Sequence, residues 1–355
     1  MAPVLRGCDE LPPQNRGAFG RGRSEMTARR VSMADVAERA GVSGQTVSRV
    51  VNASPRVDPA TRARVEAAMA DLGYRPHRAA RALRTGRTQT IGLVVSTLAS
   101  VGNSRMLQAV ADAASSRGYA LTVVTLGPDG DVSAAFERLS DQGVDGAIVL
   151  NEATERVREA DLRAAGLTLI VVDSPRDDRF GVIETDHAGG ARLAVTHLLE
   201  LGHKSVHHLA GPFGSFAAAE RERGWREALA AAQAPVPPVV RGDWGSASGF
   251  AAASALLDDA TTAVFAANDQ MALGLLRAFA EAGRDVPGDV SVVGFDDVAD
   301  AADYRPPLTT VHQDFDALGS WAVAALVDGI EGATPAGFET VPTRLVVRAS
   351  TAPDR

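Results

Sequence analysis

The chain of 355 residues holds a single cysteine, Cys8, which excludes an internal disulfide framework and a cysteine-based zinc site. It contains no run of about 18 apolar residues, the length a membrane-spanning helix needs. The first 25 residues are rich in Gly, Pro and Arg and lack the apolar centre of a secretory signal. The expectation is a disordered extension over 1–30 and a cytoplasmic location. Signatures of catalysis are also scarce. There is no G-x-S-x-G elbow, no Walker loop, and no G-x-G-x-x-G after Val95. Asp296-Asp297 offers two carboxylates, but neighbours in sequence splay apart and cannot flank one glycosidic bond. His207-His208, in an apparent strand, point to opposite faces and cannot chelate together. No enzyme, cofactor or metal site is expected.

What is present is an uneven charge. The formal net charge is −8, yet residues 1–90 carry 16 basic and 8 acidic side chains, against 20 basic and 36 acidic in the remainder. A basic module joined to an acidic body is the arrangement this implies. Over residues 26–90 all twelve basic side chains are Arg.

Local signals divide the basic head. Ser32-Met33-Ala34-Asp35 has the S-x-x-D form of a helix start, Val36, Ala37 and Ala40 form an apolar face, and Gly41 stops the helix. Ser43 caps a second helix through Asn52. Asp58, Pro59 and Gly73 punctuate a third, with Val65, Ala68, Met69 and Leu72 at helical spacing. Two short helices around a glycine turn predict a helix-turn-helix domain over 31–75. In that geometry the second helix enters the major groove of DNA. Gln45 suits the adenine edge, Arg49 suits guanine or phosphate, and Thr46 and Ser48 suit backbone oxygens. Residues 76–89 read as a short Ala/Arg hinge helix and linker, too short to be stable alone.

From residue 90 to 350, apolar β-branched runs alternate with amphipathic stretches. Strands are expected at Ile91–Val95, Leu121–Leu126, Ala147–Leu150, Thr168–Val172, Val206–Leu209, Ala263–Ala266 and Val290–Gly294. Helices are expected at Arg105–Arg117, His187–Leu201, Ala217–Ala232 and Asp269–Ala282, with residues 351–355 as a tail. Continuous rather than alternating hydrophobicity marks strands covered on both faces, so the fold class is α/β: an all-α head and a body of two doubly wound lobes. Ligands of such folds bind beyond the C-terminal ends of the strands. Those ends carry Ser96, Asp173, Asn268-Asp269 and Asp296-Asp297, which suit sugar hydroxyls. Trp244 and Phe315 would supply aromatic faces.

Longer strings then carry a resemblance. Asp35 to Ser43 (DVAERAGVS), Gln45 to Asn52 (QTVSRVVN), Ala266 to Gly274 (AANDQMALG), Asp289 to Asp297 (DVSVVGFDD) and Pro307 to Phe315 (PLTTVHQDF) resemble the lactose-repressor/galactose-repressor family of bacterial transcription regulators. The last string lies nearest the lactose-repressor side of that family. The resemblance covers 31 to about 348. It implies a periplasmic-binding-protein-like body, a homodimer, double-stranded operator DNA as partner and a sugar effector that releases it. A corepressor-type regulator or a sugar-binding transport protein is the alternative. By motif, the effector contacts would be Ser96, Asp173, Arg221, Trp244, Asn268, Asp296, Gln313 and Phe315. The DNA contacts would be Ser43, Gly44, Gln45, Thr46, Ser48, Arg49 and Asn52, with Leu83 as a minor-groove wedge. Gly44 stands where the lactose-repressor side has a bulky aromatic, and 99–103 is more polar than the corresponding loop. Without a leucine-rich tail beyond Arg355, a dimer is expected.

Overall fold

A computed structural model describes residues 31–52, 54–74, 86–126, 130, 132–150, 167–177, 180–258, 260–333 and 337–354. They fall into two compact units divided between residues 80 and 81. The hinge segment around Leu83 lies outside the described residues.

In the first unit, helices α1 (Met33–Ala40), α2 (Gly44–Val51) and α3 (Pro59–Leu72) follow from local hydrogen bonds. Ser32 and Asp35 form a reciprocal capping box, Ser43 accepts from the Thr46 amide, and Asp58 accepts from the Thr61 amide. Gly41 and Gly73 end α1 and α3 in the left-handed region, at φ of 65° and 62°, where a side chain would be strained. Val36, Ala37, Val47, Val50, Val65 and Ala68 form a small shared core.

The second unit contains two six-stranded sheets. Strands β1 (Thr90–Val95), β2 (Ala120–Thr125), β3 (Gly146–Leu150), β4 (Thr168–Val172), β5 (Gly181–Thr185) and β11 (Phe338–Val341) form the first, in the order β2-β1-β3-β4-β5-β11 and parallel throughout. Helices α4 (Val101–Ser116), α5 (Val132–Asp141) and α10 (Phe315–Ile330) accompany it. Side chains alternate between two cores. Ile91, Leu93, Ile148, Ile170 and Ile183 face α4 and α10, whereas Val94, Val149, Val171 and Val182 face α5.

The second sheet runs β7-β6-β8-β9-β10-β12: β6 (His207–Ala210), β7 (Val240–Arg241), β8 (Ala263–Ala266), β9 (Ser291–Asp296), β10 (Thr309–His312) and β12 (Arg344–Val346). Only β12 is antiparallel to its neighbour. Helices α6 (His187–Glu200), α7 (Phe216–Ala231), α8 (Ser246–Ala252) and α9 (Asp269–Glu281) cover it. α6 and α7 approach so closely that a Cβ on Gly224 would lie 2.2 Å from the Ala188 carbonyl oxygen. The two sheets share one doubly wound order, with the chain reversing direction between β1 and β3 and between β6 and β8. The chain passes between lobes three times: from β5 into α6, from β10 into α10, and from β11 into β12.

The expected strands are all present within a few residues. β5, β7, β10, β11 and β12 were not expected. Residues 351–354, read from sequence as a tail, are bonded to the second lobe: the Ala352 amide donates to Ser291 Oγ at 3.0 Å, and the Asp354 amide to the Leu201 carbonyl at 2.9 Å. No described helix is long and apolar enough to cross a membrane.

The histidines of β6 separate as strand geometry requires. His207 is partly exposed, while His208 is fully buried between the Trp225 and Phe265 rings. His208 Nδ1 donates to the Phe265 carbonyl at 3.0 Å, and its Nε2 has no partner. Burial therefore pulls its pKa down to about 4. The unfolded chain takes up this proton below about 6.5, which the folded chain refuses until about 4. The contribution is thus complete above pH 6.5, and up to about 3 kcal/mol is lost as pH falls towards 4. Melting temperatures measured across that window should show the decline, and His208→Phe should flatten it.

Candidate functional site

One cleft in the second unit gathers side chains from both lobes. It encloses about 460 Å³ of free space counting its open mouth. Of the eight residues nominated from sequence, Asp173, Arg221, Trp244, Asn268, Asp296, Gln313 and Phe315 line it. Ser96 does not. The chain continues past the end of β1, and the start of α4, at Ser100, Gly102 and Asn103, supplies that wall instead.

The elements explain the convergence. Asp173 follows β4, Trp244 follows β7, Asn268 follows β8 and caps α9, and Asp296 ends β9. Gln313 and Phe315 lie at the second passage between lobes. Among the described residues, three of the six non-glycine residues with positive φ are here: Asp173 at 51°, Trp244 at 74° and Asp296 at 114°. Each such conformation costs on the order of 1–3 kcal/mol, and such residues concentrate at functional sites.

Arg221, 4 % exposed, is the hub. Its guanidinium donates to the Ala267 carbonyl and, at 3.1 Å, to Gln313 Oε1. It lies 3.4 Å from Asp296 Oδ1, with its carbon 3.8 Å from the Phe295 ring centroid. Burial draws its pKa down, opposed by Asp296, Asp173 and Asp269. Asp296 is raised to about 6 because burial outweighs the guanidinium beside it.

His187, unanticipated from sequence, joins the two lobes through this network. Arg221 has only donors, so His187 Nδ1 accepts from it at 3.4 Å, which places the ring proton on Nε2. That nitrogen is 3.1 Å from Asp173 Oδ1 but not aligned for a hydrogen bond. Asp173 Oδ1 accepts instead from the Thr185 amide at 2.9 Å. No spacing in the sequence signals His187, whose place is set by the first passage between lobes. Asn103, also unanticipated, donates to the Thr97 carbonyl at 2.9 Å.

The other nominated groups are partly engaged. Asn268 accepts from the Met271 amide and donates to the Trp244 carbonyl, each at 3.0 Å. Asp269 faces away: it accepts from Thr310 Oγ1 at 2.5 Å and the Val298 amide at 2.9 Å, and burial raises its pKa well above the carboxylate range. Asp297 separates from Asp296, pairing with Arg348 at 2.6 Å and His312 at 2.9 Å. A cleft that offers a carboxylate, a guanidinium, amides and aromatic faces matches a neutral polyhydroxylated ligand. Among the described residues no cluster of three or more His, Cys, Asp or Glu side chains is arranged to hold a metal ion.

In the first unit, Gln45, Arg49 and Gly44 are exposed on α2. The Ser43 and Thr46 hydroxyls lie 3.0 Å apart, and Asn52 turns back to donate to the Ser48 carbonyl at 2.6 Å. Gln45 and Arg49 are the long side chains of that set directed to solvent, on a helix whose Val47 and Val50 are buried.

Comparison with known proteins places these two units side by side with others. Residues 32–77 match the family described as bacterial regulatory proteins, lacI family, and residues 195–351 match a periplasmic binding protein-like domain. The chain is 38% identical over 330 residues to the lactose operon repressor of Escherichia coli (strain K12), covering 90% of this chain and 91% of that one. Among solved structures, the lac repressor dimer bound to operator and the anti-inducer ONPF is similar at a TM-score of 0.80 and 37% identity, covering 91% of this chain and 100% of that chain. The transcriptional regulator CelR–cellobiose complex is similar at a TM-score of 0.69 and 36% identity, covering 90% and 100%.

Asp296 provides a direct check on the cleft's electrostatics. Carboxyl-carbon NMR should show it titrating near pH 6, and in Arg221→Met the midpoint should move higher, since the group that lowers it is gone.

Proposed function

The chain belongs to the lacI family of bacterial regulatory proteins, and from that premise we propose a homodimeric repressor of a sugar-utilisation operon. A small sugar, a galactoside or other glycoside, would occupy the cleft and release the protein from its operator. The observation that carries this reading is the meeting of Asp173, Arg221, Asn268, Asp296 and Gln313, from both lobes, at one buried polar cleft.

On this reading α2 lies in the major groove of operator DNA, with Gln45 and Arg49 at base edges or phosphates and Ser43, Gly44, Thr46, Ser48 and Asn52 closing against the backbone. Leu83 wedges the minor groove at the operator centre. The protein acts in the cytoplasm, on DNA, without catalysing a reaction. In the cleft, Asp296 accepts from ring hydroxyls and Arg221 donates to a neighbour; charge-assisted bonds of this kind are the strong ones. Trp244 and Phe315 cover the C–H faces of the ring. The relatives support a sugar, and between them they name a lactose operon and cellobiose.

The effector acts by binding the low-affinity state better, and couplings of about 1–3 kcal/mol are typical. Electrophoretic shift of an operator fragment, titrated with galactosides and glucosides, tests this. Sugar should lower operator affinity; tightening by sugar would reverse the sign, and no response to any glycoside would refute the reading. Arg221→Ala should abolish the response while keeping operator affinity within about tenfold.

A further inference from the structure

We propose that Asp145 is the positioning residue through which an occupied cleft acts on the DNA-binding head. It fastens the chain leading from that head to the base of the first lobe, and its assignment rests on the sugar-responsive reading above. Thr88 and Gln89 stand just before β1, and Asp145 just before the neighbouring parallel strand β3. One carboxylate takes three donors from 56 or 57 residues away in sequence. Its Oδ1 accepts from the Thr88 amide at 2.7 Å and from Thr88 Oγ1 at 3.0 Å, and its Oδ2 from the Gln89 amide at 2.8 Å. Hydrogen bonds to an ionised carboxylate are stronger than neutral ones. The Asp145 amide adds a fourth, to the Thr90 carbonyl at 2.8 Å. Beside these bonds Gln89 is held at φ of 54°, a left-handed conformation that persists only where its surroundings fix it.

The clamp lies at the N-terminal edge of the first sheet, whereas the cleft lies beyond the C-terminal ends of the strands. α10 spans the two. Its first residue, Phe315, lines the cleft, and its 16 residues extend roughly 24 Å. Its last turns rest on Gly146, next in sequence to Asp145. A Cβ there would lie 2.9 Å from Leu326 Cδ1 and 3.1 Å from Ile330 Cδ1, so no side chain cushions the contact. Just past the helix, Glu331 Oε1 lies 3.8 Å from Arg87 Nη1, an exposed pair worth little alone. A sugar that repositions Phe315 shifts α10 against Gly146, and Asp145 passes the shift to Thr88 and Gln89. Contiguous packing of this kind amounts to coupling only if cutting it severs the response.

Calorimetry and electrophoretic shift of an operator fragment, on the full-length protein with lactose, cellobiose and methyl β-galactoside as probes, make that cut. In the wild type, bound sugar should weaken operator binding at least about fivefold. Asp145→Asn keeps the volume but turns one acceptor into a donor. It should bring the response below about twofold, while sugar affinity without DNA stays within about twofold of wild type. Thr88→Val removes only the hydroxyl bond and should give a response between the two. A role in stability alone would lower the melting temperature and leave the response of the folded protein intact. That result, a wild-type response in both variants, or sugar affinity lost in step with the response would overturn Asp145 as the coupling residue. If the wild type responds to none of the three sugars, the sugar-responsive reading itself fails, and the assignment with it.

Discussion

A fixed positive charge buried between two lobes is the constraint around which the cleft is organised. Arg221 cannot shed its proton at physiological pH, and an isolated ion away from water costs several kcal/mol even after relaxation. The fold meets that cost with a carbonyl, an amide, an imidazole and a carboxylate, drawn from the end of β8, the first two passages of the chain and β9. The donors and acceptors of the cleft thus have two duties. They satisfy the guanidinium when the cleft is empty, and they are the groups a polyhydroxylated ligand would meet. Asp173, Trp244 and Asp296 hold strained backbone angles at the same place, so conformational energy is concentrated where the ligand would sit.

The head depends on a different economy. Its three described helices share a core of only six buried side chains, and each helix start is satisfied by a side chain three residues away. This is why its boundaries were legible from sequence: the capping box of Ser32 and Asp35, the Asp58-Pro59 start and the Gly41 and Gly73 stops are local chemistry written within a few residues. The long β-branched strands of the body were legible for a related reason, since burial on both faces leaves an uninterrupted apolar run.

The rest depended on contacts distant in sequence. β10 carries Thr309, Thr310 and His312, a polar composition that is accommodated in the sheet because Ser350, Asp269 and Asp297 accept from them. β7, with two residues, has no periodicity to detect. In the cleft, the rule that ligand groups follow strand ends led to Asp173, Asn268 and Asp296, but also to Ser96, where the loop runs on and α4 provides the wall. His187 escaped because nothing in Glu184-Thr185-Asp186-His187 marks a crossing between lobes; only the paired sheets reveal it. The separation of Asp296 from Asp297, by contrast, was readable from the alternation of a strand.

The three passages between lobes have a consequence for synthesis on the ribosome. The first sheet lacks its edge strand β11, and one of its covering helices, until residues beyond Val341 and Ile330 have emerged, after nearly all of the second lobe. At about 5–20 residues per second, the apolar face of Ile91, Ile148 and Ile170 awaits α10 for many seconds. A nascent first lobe is therefore an open-sided intermediate, and a chaperone that shields that face would be engaged before the repressor is ever released.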